Sequence, residues 1–152
     1  MNLSSREFIS KHLMTLVFCI MGRKGHPLIN SRSLDELQGA KWFLPAVNAG
    51  YYINIEDLIF PGGNANDNVV IYGDSLSVAR KLVFEHDFLF AGPKCMLNEV
   101  GYQGVLDIIP IREKLPDGQY SLVYHKSQIL TPIADALIEC ILHSYSNLSN
   151  SQ

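Results

Sequence analysis

The sequence predicts an α/β fold, a central sheet with flanking helices, and three observations carry that prediction. Runs of β-branched and large apolar residues alternate with helix-period segments through the middle of the chain. Gly, Pro or Asn punctuates most of the junctions between them. A length of 152 residues is enough for one core in one domain. The expected architecture is a sheet of about five strands, with the strands at 42–45 and 69–72 near its middle.

The elements follow in order. Residues 1–12 (MNLSSREFISKH) are polar and mixed and read as a weakly structured leader. Leu13–Met21 (LMTLVFCIM) reads as one buried strand that stops at Gly22. This run has the length of a signal-peptide core, but Gly22-Arg23-Lys24 stands where a small-residue cleavage site would be. It is also too short to span a bilayer. His26-Pro27 then forces a turn. Ser33 and Glu36 have the spacing of a capping box for one helical turn that ends at Gly39. Trp42–Leu44 is a short strand ended by Pro45.

Gly50–Phe60 places apolar residues at 51, 52, 55, 58 and 59, a helical stripe closed by Pro61-Gly62-Gly63. Asn64–Asn68 is a polar loop and Val69–Tyr72 a strand. Asp74-Ser75 caps a helix that runs to His86, and Phe88–Ala91 is the next strand. Residues 92–104 read as irregular, with one turn around Met96–Val100. Val105–Ile111 and Gln119–Lys126 are strands on either side of the Pro116-Asp117-Gly118 turn. Thr131-Pro132 opens a last amphipathic helix, apolar at 133, 134, 137, 138, 141 and 142, and the polar tail from Ser144 is expected to fray.

Composition narrows the function. A formal net charge of −3, with cations scattered along the chain, argues against a free-standing nucleic-acid binder. The three cysteines, Cys19, Cys95 and Cys140, form no metal or disulfide spacing and point to a reduced, cytoplasmic setting. The five histidines are solitary, so no metal and no cofactor is expected. His26 has no acidic or serine neighbour and reads as an exposed turn residue. Cys95 lies beside Lys94, which favours a thiolate, but no general base is in view. Glu56-Asp57 is the one adjacent acid pair, and neighbours on a helix point apart, so a solvated face is expected. Nothing here forms a catalytic set, and the chain is not expected to be an enzyme.

The most informative stretch is Tyr72-Gly73-Asp74-Ser75-Leu76-Ser77, where a strand ends and a helix begins. Free N–H groups and the helix dipole at such a mouth favour carboxylates or phosphates. In an open α/β sheet, ligands sit at the carboxyl ends of the strands. The alternative is that Asp74 or Ser75 simply caps its own helix.

HPL at 26–28, SLDELQGAKWFLP at 33–45, GDSLSVARKLVFEHDFLFAGP at 73–93, KLPDGQYSLVYHK at 114–126 and the helix after TP at 131–132 occur in an order that resembles the effector-binding half of LysR-type transcriptional regulators. The resemblance covers residues 13–146 and leaves 147–152 as a tail. It implies a lobe like those of periplasmic binding proteins, with HPL as a seam between lobes. It also implies that the chain is a second lobe with its crossing strand and returning helix, lacking the family's winged helix-turn-helix.

By the same resemblance the ligand is a small anionic metabolite, an amino-acid-derived carboxylate being one case. It would be held by Pro45, Ala46, Val47 and Asn48, by Asp74, Ser75 and Leu76, and by Phe90 and Ala91. The chain alone is then expected neither to bind promoter DNA nor to associate with a membrane. A fragment of a solute-binding protein is the competing reading. Leu16, Phe18, Ile20, Ile138 and Ile141 would lack the cover of a first lobe, which implies a homo-oligomer built on Leu13–Met21 and Ile133–Leu142.

Overall fold

The computed structural model describes residues 7–46, 50–63, 69–127 and 130–149. The chain divides into two compact units, Met1–Leu16 together with Gln119–Gln152, and Val17–Gly118.

In the first unit, β1 (Phe8–Leu16) forms a two-stranded sheet with β7 (Gly118–His125), and α3 (Pro132–Ser149) packs against β1. Thr15 Oγ1 donates to Gln119 Oε1 at 2.9 Å, and the Phe8 ring meets His125 edge to face at 5.2 Å. Thr131 Oγ1 accepts the Ala134 N–H at 3.2 Å, so Thr131 caps α3 and Pro132 occupies its first position, where a missing N–H costs nothing. The helix runs on to Ser149, so the segment from Ser144 is not a frayed tail. Ile138 is buried, while Ile133 and Leu137, one turn apart, are 82% and 58% exposed.

The second unit carries a five-stranded sheet, ordered β4 (Val69–Tyr72), β3 (Lys41–Leu44), β5 (Phe88–Pro93), β2 (Phe18–Arg23), β6 (Leu106–Ile108). β3 is parallel to β4 and β5, and β2 is antiparallel to β5 and β6. The strand count matches the expectation, but Val69–Tyr72 lies at the edge and β5 at the centre. Exposure of Val69 and Tyr72 fits an edge position, whereas Phe88, Leu89 and Ala91 are covered on both faces. Pairing alternates the side chains between two layers. Trp42, Leu89 and Ile20 fall on one face. Phe43, Phe88 and Met21 fall on the other, in a cluster with Tyr102, Leu106 and Val83 of α2 (Leu76–His86). On the first face, Trp42 meets Phe60 edge to face at 6.0 Å, just beyond α1 (Gly50–Ile59), whose Ile55 is fully buried.

Several sequence expectations change. Leu13–Met21 is two strands in two sheets, broken at Val17, whose side chain is 54% exposed and whose carbonyl accepts the Lys94 N–H at 2.8 Å. Phe8–His12, read as leader, belong to β1. The strands flanking Pro116-Asp117-Gly118 are not a pair, because β6 joins β2 and β7 joins β1. Ser33 makes no side-chain cap; Glu36 reaches past it to the Arg32 N–H at 3.0 Å. The Asn64–Asn68 loop lies outside the described residues.

His26 is not an exposed turn residue. It is 4% exposed, its Nδ1 accepts the Leu28 N–H at 3.0 Å, and its Nε2 lies 3.2 Å from the Asp87 carbonyl. With Nδ1 accepting, the proton sits on Nε2 and is donated to that carbonyl. Gly22 makes room for the ring, since a Cβ there would approach His26 Cγ to 3.2 Å. Asp87 ends α2 in the left-handed conformation (φ 56°), and its Oδ1 accepts from Arg23 Nε at 2.7 Å. The HPL turn is thereby fastened to the α2–β5 corner.

Candidate ligand-binding site

A cleft of about 350 Å³ opens on the second unit where β3, β4 and β5 end and α2 begins. Three local devices shape its mouth. Ser75 has extended backbone and its Oγ accepts the Val78 N–H at 3.4 Å, so it is the N-cap of α2. Asp74 Oδ1 accepts the Ala46 N–H at 3.1 Å, and the Gly73 N–H donates to the Leu44 carbonyl at 3.0 Å. These two bonds tie the segment after β3 to the entrance of α2. On the opposite wall β5 presents Phe90, Ala91 and Gly92. A Cβ at Gly92 would lie 2.9 Å from Met21 Cε and 3.2 Å from Met96 Sδ, so glycine preserves the space here.

The structure brings Pro45, Asp74, Ser75, Leu76, Phe90 and Ala91 together around this cleft. Ala46 stands beside it, held by Asp74, while Val47 and Asn48 lie outside the described residues. Asp74 is committed to the backbone and carries the wrong charge for an anion, so its part is to position the loop. Sequence reasoning missed Arg80 and Tyr102, both of which line the cleft. Arg80 had a readable signal. Leu76, Ala79, Arg80 and Val83 follow i, i+3, i+4, i+7, and the one cation in that stripe faces the cleft with the rest. Tyr102 had none, because it arrives from the irregular segment after β5. Its ring is buried, and its hydroxyl has no partner among the described residues, a deficit of about 1–3 kcal/mol.

The other candidates stay apart from the cleft. Glu56 accepts a hydrogen bond from the Tyr72 hydroxyl, and this bond, with a smaller contribution from burial, holds Tyr72 above its usual pKa. Among the described residues no group of three or more His, Cys, Asp or Glu side chains is placed to hold a metal ion. Cys19 is half-buried, and burial pushes its thiol up to about 11 against the opposing pull of Lys94. Cys140 is exposed. With maleimide at neutral pH, Cys140 is therefore expected to label first and Cys19 last, its thiolate fraction depressed by about a hundredfold. Mass spectrometry of the time course checks the order, and equal rates would contradict it.

The LysR substrate binding domain family matches residues 1–146. The chain belongs to that family. Over 122 residues it is 30% identical to the HTH-type transcriptional regulator TdcA of Escherichia coli K12, an alignment that covers 80% of this chain and 38% of TdcA. The chain thus spans well under half the length of the curated relatives it matches.

Solved structures agree on the fold. The regulatory domain of Synechocystis PCC6803 CcmR in complex with 2-PG superposes with a TM-score of 0.74 at 13% identity, covering 97% of this chain and 71% of that one. The effector-binding domain of QuiR in complex with shikimate gives 0.71 at 14% identity, with coverage of 97% and 69%. HinK, a LysR family transcriptional regulator of Pseudomonas aeruginosa, gives 0.70 at 17% identity, with coverage of 97% and 51%. This family membership favours the regulator over the solute-binding fragment. No described helix is long and apolar enough to cross a membrane.

Proposed function

We propose that this LysR-type effector-binding domain senses a small anionic metabolite in the cleft at the mouth of α2, and that it works in the cytoplasm as a regulator's sensor and not as an enzyme. The observation that carries the reading is the convergence on one cleft of the Ser75-capped N-terminus of α2 with the ends of β3 and β5. Helix N–H groups and the α2 dipole favour negative charge there. Ser75 Oγ accepts from Val78, which leaves its own hydroxyl proton free to donate to a bound anion. DNA contact belongs to other parts of such regulators, and this chain, at net charge −3, is not the DNA-binding element. A homo-oligomer belongs to the same reading, seated on the exposed Ile133 and Leu137 of α3. The β2 segment is no longer available for it, because Phe18 and Ile20 are covered within the chain.

Two substitutions at one residue test the site by titration calorimetry with small carboxylates. Ser75→Ala is expected to weaken anion binding by about 0.5–2 kcal/mol. Ser75→Asp keeps a good N-cap, so the fold holds, but it places a carboxylate where the anion sits and should abolish binding. Unchanged affinity in Ser75→Asp would move the anion away from α2.

A further inference from the structure

Arg80 is a cation in a largely apolar cleft whose one lining carboxylate among the described residues, Asp74, is engaged by the Ala46 N–H. Its guanidinium carbon lies 5.5 Å from the Tyr102 ring centre and 5.8 Å from that of Phe84, and among the described residues no Asp or Glu pairs with it. Stacked on two rings, an arginine gives up part of its rotamer freedom while its N–H edge stays open. Gly101 runs close by, its backbone near enough that a Cβ there would lie 4.0 Å from Arg80 Nη1. Tyr102 adds a second, independent observation, a buried hydroxyl with no hydrogen-bond partner among the described residues. Most buried polar groups find a partner in the folded chain. A guanidinium held over the Tyr102 ring borders the cleft, the unbonded hydroxyl of that ring lies buried just behind its wall, and the apolar part of the lining includes Phe43, Val83, Phe90, Met96 and Leu106.

We infer that Arg80 and Tyr102 are the effector-selecting pair, and that the ligand class is a monocarboxylate on an apolar body. Arg80 takes the carboxylate as a fork of N–H donors, and the Tyr102 hydroxyl donates to the same head group. The apolar walls take a hydrocarbon body of the size that about 350 Å³ admits. A small, multiply charged anion such as inorganic phosphate would satisfy Arg80 but leave those walls wet, so it is selected against. This inference rests on the ligand reading of the cleft and adds to it the identity of the ligand and of the residues that choose it. No ligand atom reaches the hydroxyl without a small shift of the Tyr102 ring, and Gly101 (φ 95°) and Gly104 (φ 70°) bracket that residue with backbone that can accommodate one.

The test uses the 152-residue chain, thermal shift and calorimetry, and four probes: 4-methylpentanoate, its primary amide, acetate and inorganic phosphate. The expected result is binding of 4-methylpentanoate, with the amide, acetate and phosphate weaker by about tenfold or more. Arg80→Gln should lower affinity for 4-methylpentanoate by roughly 10–100-fold while keeping the polar edge over the rings. Tyr102→Phe should lower it by about three- to tenfold and leave the ligand-free melting temperature unchanged or higher, because the deleted hydroxyl has no partner among the described residues. A merely structural Tyr102 would show the reverse, a lower melting temperature and unchanged affinity. If Arg80→Gln binds 4-methylpentanoate as wild type does while Ser75→Asp abolishes binding, this inference fails and the α2-mouth site stands. If phosphate binds as tightly as 4-methylpentanoate, the ligand class is wrong. If wild type binds none of the four, both fall.

Discussion

Trp42→Ala is expected to destabilise the chain by about 3–5 kcal/mol, the range for emptying a large aromatic site in a close-packed core. Trp42 is 1% exposed on β3, between β4 and β5, and packs edge to face on Phe60. A loss of that size removes about a fifth or more of what holds a typical domain together. Trp42→Phe should be far milder, because it keeps the ring contact and deletes an indole N–H that has no partner among the described residues. Chemical denaturation of the three proteins checks the order. Near-equal losses in both variants would mean that the volume of the indole, and not its apolar contact, is what the layer requires.

His26→Ala is expected to cost about 2–5 kcal/mol, an effect that a turn residue on the surface would not produce. The substitution leaves the Leu28 N–H and the Asp87 carbonyl without their side-chain partner and opens a void beside Gly22 and Leu89. His86, exposed at the end of α2, is the control, and His86→Ala should stay within about 0.5 kcal/mol of wild type. Urea midpoints decide it. If His26→Ala behaves like the control, the HPL turn is held by its backbone alone.

Much of this was legible beforehand, and the failures have identifiable causes. The order of α1, β4, α2 and β5 was readable because each begins or ends at a local signal: Gly50, Asp74-Ser75, Asp87, and Pro61 after α1. The break at Val17 was not, because the apolar pattern continues through it and only pairing partners far along the chain divide β1 from β2. The same limit applied to His26, whose partner Asp87 lies 61 residues away and cannot be found by looking at its neighbours. Around the cleft, the helix mouth was visible as a motif, while Tyr102 depended on the path of residues 94–105, which has no periodicity to read. Arg80 was available in the α2 stripe and was passed over as one more scattered cation.

The sheet order sets a sequence of events for the lobe as it is made. β2, its first strand, bonds to β5 through pairs such as Ile20 with Ala91 and to β6 through Met21 with Ile108. Neither partner exists until the chain has been extended past those residues, so β2 leaves the ribosome long before it can be hydrogen-bonded. The parallel group of β3, β4 and β5 is complete earlier, by Pro93, and joins strands closer in sequence, which makes it the less costly nucleus to close. Until β5 is made, Phe18, Ile20 and Met21 form an apolar strand with both edges bare, and one edge stays bare until β6 follows, the kind of segment that pairs with a neighbouring nascent chain. A strand that ends with both edges bonded in the lobe thus spends the longest time unprotected, and chaperone capture during synthesis would concentrate there.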